Sequence, residues 1–180
     1  MTTQSHPQQR AQRLLAFLRE RKDDRGLLAD LRSGLVPARV VRAWPHLAPF
    51  GGCDEGHESE VVRTLAALFA HAPGQVQSCG HDFGATWRHL ALATDKKEGL
   101  KAQSTFSKHL MHLLAANREE VCERVAKLAL RASGKDIAVD FTRLYVDLVF
   151  WSAKPRSRWA VSFWGGMTDS EHADQEEARA

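Results

Sequence analysis

Apolar residues recur at spacings of three and four along most of this 180-residue chain, and strict alternation is rare. That period keeps side chains on one face of an α-helix and scatters them over both faces of a strand. The pattern therefore predicts an all-α fold, a helical bundle of about eight or nine helices joined by short turns between antiparallel neighbours. Five Trp, eight Phe and 43% apolar residues can fill one sizeable core, and two full domains would be cramped. A single helical domain over 7–167 is expected, with 75–103 as the place where two packed helical subdomains would divide. Residues 1–6 and an acidic tail over 168–180 lack periodicity and are expected to be disordered.

Local signals set the helix boundaries. A first helix over 7–22 turns Leu14, Leu15 and Leu18 inward, with Pro7 suited to its first turn. A second begins near Asp24, buries Leu27, Leu28 and Leu31, and is expected to close on a left-handed Gly34. A third opens at Pro37 and carries Val40, Val41 and Trp44 inward until Pro45 and Pro49 break it. The fourth runs over 58–72. A short helix over 85–93 follows, then an exposed charged loop, TDKKEGLK. Ser104, Asn117 and Asp140 stand where N-caps belong, Asn117 with Glu120 as a capping box, and Pro155 opens the last helix. Most of Trp44, Trp87, Trp151, Trp159 and Trp164 have inward spacing that fits a core, Trp87 least clearly.

The chemistry-bearing residue types form no strong motif. MTTQSHPQQR leads into a charged helix, unlike a signal peptide, and no apolar run approaches the roughly 18 residues of a membrane span, so a cytoplasmic location is expected. Cys53, Cys79 and Cys122 are odd in number and lack a CxxC, which argues against a disulfide framework. Cys53-x3-His57 with Cys79-x-His81 holds the right residue types for zinc at poor spacings, so no metal and no cofactor are expected. An HD-type metal-dependent phosphohydrolase would cast His57, His81-Asp82 and one of Asp136, Asp140 or Asp147 as ligands, but Asp140 is better used as a helix cap. No GxSxG and no phosphate-cradling glycine loop is present.

Charge is the more informative property. Residues 168–180 hold five carboxylates against Arg179, a net −4, so the rest of the chain carries +7 of the overall +3. A basic body of this size attracts polyanions. The candidate phosphate contacts are Arg32, Lys96, Lys97, Lys101, Lys108, His109, Arg118, Lys127, Lys154, Arg156 and Arg158, all suited to gripping a backbone without reading bases. KPRSR is the densest run, and it sits at a helix start, where backbone N–H groups also favour anions. A helical scaffold that binds an acidic protein is the alternative with the same charge.

The order DRGLLADLR, AWPHLAPFG, STFSKHLMHLLAANREE, KDIAVDFTRLYVDLVFW and a closing W-x4-W resembles the CasB family, the small subunit of the type I-E CRISPR effector complex called Cascade. The likeness runs from about Asp24 to Gly165. It implies a non-enzymatic all-helical subunit in antiviral defence, present in two copies that bridge the ends of the complex along the guide RNA. The implied partners are single-stranded and R-loop DNA, the guide RNA–DNA hybrid, the backbone and large Cascade subunits, and a second copy of the chain. It further implies that the family's basic positions fall on Arg32, Lys96, Lys108, His109, Arg118, Lys127 and Lys154. His109 stands where the family often has Arg, and Ala115 occupies another basic position.

Overall fold

The computed structural model describes residues 5–73 and 79–165, so the tail at 168–180 and residues 1–4 lie outside the described residues. Those described form nine α-helices and three short 3-10 helices, with no strand among them, as the period predicts. Helix α1 (Ser5–Glu20) already includes Ser5 and His6, placed by the sequence in a disordered terminus, and buries Leu14, Leu15 and Leu18. In α2 (Arg25–Arg32) the Asp24 carboxylate accepts the Leu27 amide at 3.0 Å, and Leu27, Leu28 and Leu31 face inward. This helix tightens into a 3-10 turn, Ser33–Leu35, instead of closing on a left-handed Gly34.

The expected third helix is a correction. Pro37–Arg42 is a 3-10 helix, followed by the single turn α3 (Trp44–Leu47) and a further 3-10 turn, Ala48–Phe50. A period of three rotates the inward face relative to an α-helix. Ala43 and Leu47 consequently fill the core, while Val41 and Trp44 are 55% and 38% exposed. Trp87, the Trp least clearly placed by its spacing, is fully buried.

Helix α4 (His57–His71) is buried nearly all round between Ser59 and Ala70 and packs against α1, α2, α7 (Val121–Ser133) and α8 (Phe141–Val149). Apolar residues on every side are the mark of a central helix. Helix α5 (Phe83–Thr94) pairs with α9 (Ala153–Trp164), and α6 (Thr105–Leu114) adjoins both. The α5–α9 approach depends on Gly84, where a Cβ would sit 2.1 Å from the Trp159 carbonyl oxygen. One connected cluster of buried apolar side chains extends from Ala11 to Phe163. Its indoles are hydrogen-bonded: Trp87 donates to the Phe106 carbonyl, Trp151 to that of Ala116, and Trp159 to Asp147. No described helix is long and apolar enough to cross a membrane.

Candidate nucleic-acid interface

The charged loop after α5 is a built turn. The Asp95 carboxylate accepts the Lys97 and Glu98 amides at 3.1 and 3.0 Å, and the Ser104 hydroxyl donates to the Gly99 carbonyl at 2.7 Å. Lys96 and Lys97 project from it with no side-chain partner among the described residues. Lys101 is paired with Glu98 at 2.7 Å, and that hydrogen bond raises its pKa.

Helices α6 and α7 bring together a second set. Lys108 is exposed, while His109 packs edge-on to Trp87 and places Nδ1 3.5 Å from Arg131. Partial burial, then Arg131 and His112, push the His109 pKa down, so at neutral pH it is an uncharged ring. Lys127 is tied to Glu123 at 2.6 Å, four residues back on the same face. Arg124 and Arg131 share this surface and are missing from the sequence-derived set. Their spacing around Lys127, three and four residues, is the signal that would have found them. Arg131 lies over the Phe106 ring, and Arg124 joins Glu120 to the His112 carbonyl. Glu120 thereby leaves the expected capping box, although Asn117 does accept the Glu120 amide.

The third set forms a corner where the α6–α7 and α8–α9 connections meet. Arg118 Nε donates to the Trp151 carbonyl at 3.4 Å; Arg156 donates to the Ala116 carbonyl at 2.6 Å and lies over the Trp151 ring. Lys154 is exposed beside them. Ala115 ends α6 at this same corner. Helix α9 starts at Ser152 without a side-chain cap and has no acidic residue in its first turn. Of α2 and α4–α9, each of the others has a side-chain cap or a first-turn carboxylate. The positive end of α9 therefore remains available to an anion.

Two candidates sit apart from these sets. Arg32 donates to the Ala70 carbonyl at the end of α4, at 2.9 Å. Arg158 turns inward, binding Asp147 closely and standing 3.7 Å from Asp82, both buried carboxylates.

These contacts also decide the fate of the metal-ligand candidates. Asp82 caps α5 by accepting the Ala85 amide and takes the Ser162 hydroxyl at 2.7 Å; Asp140 caps α8 and accepts the Gly80 amide at 3.1 Å. Asp147 accepts the Trp159 indole. His81 stacks edge-on with His89, while His57 turns to the Leu148 carbonyl. Asp82, Asp140 and Asp147, which an HD-type phosphohydrolase would use as ligands, are thus engaged in capping, hydrogen bonding and ion pairing. Cys53 donates to the Trp44 carbonyl.

The chain matches the family model described as CRISPR-associated protein Cse2 over residues 27–164. Among solved structures it is similar to a CRISPR-associated protein of the Cse2 family from Thermus thermophilus, at 24% identity and a TM-score of 0.66 over 87% of this chain and 98% of that one. A structure of CasB from Thermus thermophilus gives 26% identity and 0.65 over the same shares. A chain of a CRISPR RNA-guided surveillance complex shares the fold, at 23% identity and 0.69 over 92% and 99%. No curated protein sequence matches it.

Proposed function

The chain belongs to the Cse2 (CasB) family of CRISPR-associated proteins, and we propose that it is the non-catalytic small subunit of a type I-E Cascade, stabilising the R-loop by gripping sugar-phosphate backbone. The observation that carries this reading is the corner at the start of α9, where Arg118, Lys154 and Arg156 surround an uncapped helix N-terminus. Guanidinium, ammonium and free amide donors together suit phosphate oxygens and ignore base identity. Lys96, Lys97 and Lys108 extend the charge, whereas Arg158 acts inside the fold and His109 contributes as a neutral donor or acceptor. Exchange of a DNA duplex for a guide RNA–DNA hybrid is nearly balanced in energy, so a few such contacts to the target and displaced strands can tip it.

The remaining partners follow from the same membership and from an exposed apolar surface. Val36, Val41 and Trp44 are 43%, 55% and 38% exposed along the segment 36–44, large apolar side chains suited to meeting a protein subunit. It is the face we assign to the backbone or large subunit, or to a second copy in the complex. No residue performs chemistry.

The test is the lifetime of a guide-directed R-loop on a complex reconstituted with and without this chain, across a salt series. The chain should lengthen the lifetime, and changing Lys96, Lys97, Lys154 and Arg156 to Glu should abolish the gain. The salt slope should become shallower by about 0.7 for each single-strand phosphate that is no longer neutralised. Trp44→Glu should instead reduce incorporation and leave binding of free single-stranded DNA intact. A chain that joins the complex without altering R-loop lifetime would favour the scaffold reading.

A further inference from the structure

Helix α4 opens on His57-x2-Glu60, two residues that share one face of its first turn, and α7 presents Cys122 to that face from its own first turn. One ligand-capable atom from each residue lies within 4.8 Å of the other two, and this is the one such group among the described residues. The His57 ring is held in a defined orientation, with Nε2 2.7 Å from the Leu148 carbonyl oxygen near the end of α8. A carbonyl only accepts, so Nε2 carries the hydrogen, and the nitrogen left for a further partner is Nδ1, which bears a lone pair whenever the ring is neutral. That Nδ1 is buried and has no hydrogen-bond partner. A buried acceptor without a donor is costly, and each such atom in a native fold calls for an explanation.

We propose that His57 Nδ1, the Glu60 carboxylate and Cys122 Sγ form a zinc-binding site that ties α4, α7 and the end of α8 together, with water as the fourth ligand. The donor set is mixed N, O and S, which suits Zn(II) and Co(II); Mg(II) and Ca(II) prefer oxygen alone. A ligating His whose other nitrogen donates to a backbone carbonyl is the usual outer-shell arrangement at such centres. Cys122 is only 1% exposed, and a cysteine ligates as its thiolate. Binding therefore displaces the thiol proton to solvent, and affinity rises with pH. The site is structural and independent of the nucleic-acid reading.

The test uses the full chain carrying Cys53→Ser and Cys79→Ser, which leaves Cys122 as its one thiol, titrated with Co(II). The expected result is saturation at one equivalent with a near-ultraviolet thiolate-to-cobalt charge-transfer band that one equivalent of Zn(II) displaces. Cys122→Ser should lose the band, and Glu60→Gln should weaken binding at least about tenfold while the far-ultraviolet dichroism stays native. Zinc at a hundredfold excess over Kd should raise the melting temperature by about 5 °C, and less in Glu60→Gln at the same concentration. A folded chain that shows no band and no zinc-dependent shift overturns the proposal. So does a band that survives Cys122→Ser.

Discussion

Arg156 and Arg158 look alike in the sequence, two basic residues at one helix start, yet their surroundings differ. Arg156 reaches the Ala116 carbonyl across the surface corner, whereas Arg158 neutralises Asp147 and Asp82, which are 4% and 5% exposed. Removing one partner of a buried ion pair strands the other charge. Because the Arg158 side chain is itself 34% exposed, water offsets part of that loss, and Arg158→Ala should cost about 2 kcal/mol. Lys154→Ala should stay within about 0.5 kcal/mol in the same urea titration while weakening DNA binding. Histidine gives the pH dependence. His109 titrates below its ordinary value of 6.5 because of partial burial, then Arg131 and His112, and His89 moves the same way through burial, then His81 and Arg88. A lowered folded pKa means that the neutral form is favoured by folding, so the stabilisation is present above pH 6.5 and lost as pH falls through the folded values. Denaturation midpoints measured between about pH 7.5 and about pH 5 should fall, and His109→Gln should flatten that decline.

Elements are legible in the sequence where a cap and a 3.6-residue period coincide. Asp24, Ser104 and Asp140 each accept the amide three residues on, as their positions predict. Asp82 does the same for α5, but the helical period becomes legible only from residue 85, which hides the cap. The segment 37–50 departs from the expected helix because apolar residues three apart fit both α and 3-10 geometry, and only tertiary packing chooses Ala43 and Leu47 for the core. The uncapped start of α9 yields a prediction at this scale. Ser152→Asp would set a carboxylate beside the Ala153 and Lys154 amides of that helix, although the i+3 amide used by the caps of α2, α5 and α8 is missing at Pro155. Stability should rise by about 0.5–1 kcal/mol in thermal or urea unfolding. The same carboxylate would occupy the amides offered to phosphate, so R-loop lifetime should shorten. A longer lifetime in the more stable variant would show that α9 meets no anion.

Net charge is a property of the whole chain and can be read without a fold, whereas the grouping of that charge cannot. Arg118, Lys154 and Arg156 meet because two connections 33–40 residues apart converge on Trp151 and Ala116. Arg131 joins His109 because α6 and α7 pack. The segment 168–180 adds net −4 beyond this body, and two physical roles lead to opposite results. Carboxylates on a basic chain with a pI near 8.9 favour solubility, while the same carboxylates laid over the basic face would compete with DNA. At physiological ionic strength the Debye length is about 8 Å, so a tail that does not dock on the basic face contributes little to binding. Deleting 168–180 should therefore leave affinity for single-stranded DNA within about twofold in roughly 0.15 M salt and lower the solubility. An affinity gain of about tenfold that disappears at high salt would instead mean that the tail occupies the face until nucleic acid displaces it.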